Sequence, residues 1–174
     1  MLFQGQYWFY GTHAYKVKRL VAEFNGNKQK LFSYNHEVYQ LAPIVGYLYN
    51  RKTPLNKDSN IDTSIFPDQI SSHRDIFLFN YQLIMLLDKE YEPNLEIRID
   101  KAFRFFGTAK AKDDEELYES YVRGGIDVLF EKLIEPSTSS DKYVHNLYDF
   151  VNDFETRYGK SADEIRQLCT IEGN

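Results

Sequence analysis

The sequence predicts an all-α fold, a compact bundle of about six or seven helices with a short aromatic N-terminal segment. Three observations predict it. Residues 113–134 carry Leu117, Tyr118, Tyr121, Val122, Ile126, Leu129, Phe130 and Leu133 at helical spacing, so most apolar side chains share one broad stripe. Ile99, Ala102, Phe103 and Phe106 recur at i, i+3, i+4 and i+7. No convincing strand alternation occurs beyond the N-terminal segment.

The chain has 174 residues, which fits one helical domain spanning 1–174. That length buries a core without disulfide or metal staples. With 14 Tyr and 13 Phe against one Trp, the core is expected to be aromatic, and buried Tyr hydroxyls need partners. So many Tyr also suit an interaction surface. A formal net charge of −5 argues against a generic nucleic-acid binder. Cys169 is the only cysteine, so no internal disulfide forms, and a reducing, cytoplasmic compartment is expected. The first ten residues lack the charged region and apolar run of a signal peptide. No stretch is long and apolar enough to span a bilayer, so no membrane partner is expected.

In chain order, Gln6 to Tyr10 reads as an extended aromatic segment over the core. Thr12 is a candidate N-cap for a helix with Val17, Leu20, Val21 and Phe24 inward. Asn25-Gly26-Asn27 ends it. Asn35 or Ser33 caps the next helix, where Pro43 predicts a kink or two short helices, and Gly46 adds flexibility or close packing. Residues 51–67 read as one long polar loop. Ser71 or Ser72 opens a helix whose Ile76, Phe77, Phe79, Leu83, Ile84, Met85, Leu86 and Leu87 are apolar on nearly all sides, as expected of a central helix. Asn94 caps the following one, and Gly107 ends it. Tyr143, Leu147, Phe150, Val151 and Phe154 predict a further amphipathic helix, and 159–174 an appended C-terminal one with a Ser161–Glu164 capping box.

The 113–134 helix breaks one rule. Gly124 and Gly125 each cost roughly 0.5–1 kcal/mol relative to Ala in a helix. Close packing of a neighbouring helix would offset that, as would a bend or a surface that a partner approaches; the pair could also end one helix and start another. Arg123 stands just before them.

Catalytic motifs are lacking. There is no phosphate-cradling loop, dinucleotide fingerprint or His-Glu-x-x-His pattern, so neither cofactor nor metal is expected. His13, His36, His73 and His145 are scattered, and His13 reads as a surface or capping residue. The acidic run 113–116 suits a helix N-terminus.

Three segments taken in order, LAPIVGYLYNRKTPL, IFPDQISSHRDIFLFNYQLIMLLD and ELYESYVRGGIDVLFEKL, resemble the small helical accessory proteins associated with bacterial DNA phosphorothioation systems and phage defence. The resemblance spans 38–134. Where the family has Ala-Asn before the two glycines, this chain has Val122-Arg123. It implies an accessory role beside a larger partner and transfers no catalytic residue.

The function expected is therefore a non-enzymatic accessory or interaction subunit of a bacterial DNA-modification or phage-defence complex, binding a larger partner protein. Arg51, Lys52, Arg123, Gly124 and Gly125 form the candidate contact surface. The alternative is nucleic-acid binding through Arg98, Lys101, Arg104, Lys110 and Lys112, where cations interleave with aromatics. Net charge does not favour it.

Overall fold

A computed structural model describes residues 2–24, 28–57, 60–137 and 139–159. Strand β1 (Tyr7–Tyr10) leads into α1 (Gly11–Leu20) and α2 (Asn35–Leu48). Strand β2 (Asp62–Ile65), α3 (Pro67–Ser72), α4 (Arg74–Leu87) and α5 (Leu95–Ile99) follow. The chain closes with α6 (Lys112–Leu133) and α7 (Tyr143–Tyr158). The expected C-terminal helix over 159–174, with Cys169 and the capping box, and the turn at Asn25-Gly26-Asn27 lie outside the described residues.

The fold is helical but not purely so. The aromatic N-terminal segment is a strand, and β1 pairs antiparallel with β2, Tyr7 opposite Ile65 and Tyr10 opposite Asp62. β2 lies inside 51–67, where one long loop is expected. Asp62-Thr63-Ser64-Ile65 is too short and polar to announce a strand; it becomes one because β1 supplies its ladder. A two-stranded sheet is marginal alone. Here Phe9 and Ile65 anchor it in the core.

α6 is the central helix and runs unbroken through its glycine pair. It is almost continuously buried from Tyr118 to Phe130. Its main partner is α2. The crossing is made of backbone. A Cβ placed on Gly125 would overlap the carbonyl oxygen of Ala42, and one on Gly46 would overlap that of Tyr121. Gly124 is closed the same way by the carbonyl of Arg51. Of the readings open for the glycines, close backbone packing is the one observed, by α2 on Gly125 and by the segment after α2 on Gly124. α2 is one helix across buried Pro43, not two. Its start is secured by Glu37, whose carboxylate accepts the backbone N–H of Ser33 at 2.7 Å.

α4 is not central, contrary to expectation. It buries Phe77, Asn80, Tyr81, Ile84 and Met85 and leaves Ile76, Phe79 and Leu87 outside. α6 has taken the central place because its Gly125 and the Gly46 of α2 together admit a crossing that close.

α5 begins at the expected cap, Asn94, whose side chain accepts the N–H groups of Glu96 and Ile97. It then passes into a π-helical turn, Asp100–Arg104. The wider turn rotates the register. Arg98 and Ala102 are buried, whereas Ile99 and Phe103 face outward. Phe103 therefore does not join the core as the α-helical pattern predicts.

Two predictions follow from this packing. Helix propensity alone has Gly125→Ala stabilising by about 0.5–1 kcal/mol. The Ala42 carbonyl reverses the sign: overpacking against backbone is expected to cost about 3 kcal/mol, read as a lower urea midpoint.

The second concerns His36, at the start of α2, whose ring stacks on His73 at 4.1 Å between centroids. Burial, and then the charge of His73, hold its pKa below 6.5. Between the folded value and 6.5 the unfolded chain binds the proton and the folded one does not. Stability is thus full above 6.5 and falls as pH drops through that window. Urea midpoints at successive pH values are expected to show this fall, and His36→Phe to flatten it.

Candidate functional site

Four charged residues fall on one face of α6: Glu116, Glu119, Arg123 and Asp127, at i, i+3, i+7 and i+11. The last three are buried. β1, α1 and the segment after α2 cover them, and each covering element supplies a polar partner.

The β1 side serves Glu119. Its carboxylate accepts the hydroxyl of Tyr7 and, from α2, that of Tyr39 at 2.9 Å. Burial pushes the Glu119 carboxyl above its usual 4.5, against the pull of the two hydroxyls and Arg123. Burial also raises Tyr7 and Tyr39, so both phenols stay protonated as donors.

The segment after α2 serves Arg123. Its Nε donates to the carbonyl of Thr53 at 2.7 Å, and its Nη2 pairs with Glu116. Thr53 in turn donates its amide to the carbonyl of Ser120. α1 serves Asp127. Lys16 Nζ lies 2.7 Å from Oδ1, and Thr53 Oγ1 donates to Oδ2 at 2.7 Å. His13 Nε2 stands 3.4 Å from Oδ1. Burial alone would raise the Asp127 carboxyl; His13, Lys16 and Thr53 overcome it and hold the group well below the ordinary 3.8.

Above this row a cavity of about 190 Å³ opens between β1 and α6. Tyr7, Trp8 and Tyr10 wall it, Leu55 closes one side, and His13 and Arg123 lie at its base. The arrangement fastens three elements to α6 and leaves an aromatic-walled recess beside charged groups. Among the described residues, no group of three or more His, Cys, Asp or Glu is arranged to hold a metal ion.

The candidate contact residues do converge, but within the chain. The carbonyl of Arg51 lies over Gly124, and Arg123 is bound to Thr53. Residues 51–53 thus cover Gly124 and Arg123, and Ala42 of α2 covers Gly125, so all three are buried. Arg51 and Lys52 remain exposed, the first paired with Glu131 at 2.8 Å, the second 3.8 Å from Asp88.

The basic segment is also largely engaged. Arg98 is buried and donates to the carbonyls of Leu86, Glu92 and Pro93. Lys101 pairs with Asp114 at 2.6 Å and Arg104 with Asp100 at 2.6 Å. Lys110 lies over the Phe105 ring, and Lys112 is exposed.

Sequence reasoning missed Glu119, Asp127, Tyr7 and the burial of His13, which is 3% exposed rather than a surface residue. A signal existed. Glu116, Glu119, Arg123 and Asp127 are spaced at i, i+3, i+7 and i+11, which lines them along one helix face.

The two buried carboxylates predict opposite sensitivities. Asp127→Asn removes a charge that three partners favour and is expected to cost about 3 kcal/mol. Glu119→Gln removes one that burial disfavours and is expected to cost less than half of that. Urea unfolding of both variants at neutral pH tests the order.

Comparison of the chain with family models, curated proteins and solved structures finds no match.

Proposed function

We propose that this protein is a non-enzymatic accessory subunit that docks on a larger partner protein. The observation that carries the reading is the apolar surface of α4, α5 and the π turn. α4 packs against both. Phe79 is 59% exposed, Leu95 57% and Phe103 55%. Leu95 and Ile99 of α5 and Phe103 of the π turn are all exposed. Large apolar groups grouped on a surface mark interaction sites; scattered single ones do not. Arg51 and Lys52 are exposed as well, and Lys52 lies 3.8 Å from Asp88 at the end of α4, so they are polar groups a partner could engage.

The setting, a bacterial DNA-modification or phage-defence assembly, rests on the resemblance across 38–134. Direct nucleic-acid binding is the weaker reading, because Arg98, Lys101 and Arg104 already have partners within the chain. No helix among the described residues is long and apolar enough to cross a membrane.

Affinity purification from the native host after nuclease treatment, followed by mass spectrometry, tests the proposal. The expected result is one larger protein in stoichiometric yield, lost when Phe79→Glu and Phe103→Glu are combined in a chain that keeps its circular dichroism. Recovery of the chain alone, or capture that ignores the double substitution, overturns it.

A further inference from the structure

We infer that the cleft between β1 and α6 binds a small organic ammonium ion. This inference stands apart from the docking proposal, since it concerns a different surface.

Four observations carry it. The first is size and wall chemistry. The cavity of about 190 Å³ is lined by Tyr7, Trp8 and Tyr10 together with Leu55. Aromatic faces attract cations through the ring quadrupole, and an aromatic cage is the usual device for alkylated ammonium groups. The second is charge. Two carboxylates, Glu116 and Glu119, line the cleft against one guanidinium, Arg123. Arg123 is held at the base by Thr53 and Glu116. The side chain of Glu116 is 65% exposed, so its carboxylate, one oxygen of which pairs with Arg123, is within reach of an arriving ligand.

The third is His13. It lines the cleft and is 3% exposed; Nε2 faces Asp127 Oδ1 at 3.4 Å, and Nδ1 has no hydrogen-bond partner. A buried imidazole nitrogen without a partner costs free energy, and an ammonium N–H supplies what Nδ1 lacks. The fourth is a stand-in already present. The ammonium of Lys57 sits over the ring of Tyr10, 4.6 Å from its centroid. The chain's own cation thus occupies one aromatic wall, as a ligand cation would occupy the inner faces.

The protein carries its own reporter, because Trp8 is the single tryptophan. Its fluorescence is to be titrated with butylammonium and, as the matched anion, butyrate. Butylammonium is expected to shift the emission with saturation, and butyrate to leave it unchanged. Glu116→Gln is expected to weaken binding about tenfold, equivalent to about 1.4 kcal/mol. Lys57→Gln is expected to strengthen it, since it removes a competing charge from Tyr10. Lys110→Gln, remote from the cleft, should change nothing. Circular dichroism of each variant separates loss of binding from loss of fold. A response to butyrate in place of butylammonium assigns the cleft to Arg123 and overturns the inference. So does an unchanged emission with both probes while the fold is intact.

Discussion

The fold depends on the backbone contact between α2 and α6. Ala42 and Gly46 on one helix meet Tyr121 and Gly125 on the other so closely that no side chain fits between them. The approach brings the chain leaving α2 down on Gly124, where the Arg51 carbonyl closes the surface. Two residues later, Thr53 gives its amide to Ser120 and its carbonyl to Arg123. The polar row of α6 is therefore covered because α2 lies close. A bulkier crossing would lift residues 51–53 away and leave Arg123 and Asp127 facing water.

Burying that row and the carboxylates near it requires the charges to be solvated by protein. The chain does this with phenol hydroxyls as well as with cations. Tyr7 and Tyr39 serve Glu119, Tyr121 serves Asp88 at 2.7 Å, and Tyr91 serves Asp114 at 2.7 Å. A tyrosine brings apolar area for the core and one donor at its tip, so it satisfies a carboxylate without bringing a second charge to desolvate. Two outcomes arise on one helix face. At Glu119, with neutral donors, burial prevails and the carboxyl is raised. At Asp127, Lys16 and His13 add charge and polarity, and the carboxyl is lowered.

Outside, α5 and the π turn that continues it have the opposite effect. Arg98 of α5 lies inward, where three carbonyls take up its guanidinium, while Ile99 and, in the π turn, Phe103 lie outward. A cation is withdrawn from the surface and apolar area is placed there. The small sheet lines the cavity beside the charged face of α6 with Trp8 and Tyr10.

Much of this was readable in the residues alone. Periodicity located α6, the helix at 143–158 and the cap at Asn94, because burial of one stripe and satisfaction of helix-end donors are local demands that the sequence must meet itself. The cost of Gly124-Gly125 announced a close approach, and the aromatic excess announced hydroxyls in need of partners. Which element would approach, and which carboxylates would answer, lay beyond local pattern. Asp62 to Ile65 becomes a strand only beside β1, over 50 residues earlier in the chain. Arg98 turns inward only because the carbonyls ending α4 await it. Glu119, Asp127 and His13 look like surface charges on any helical wheel until α1, β1 and Thr53 close over them. Periodicity reports which face of a helix is apolar; the sharing of hydrogen bonds between distant segments is settled only when those segments meet.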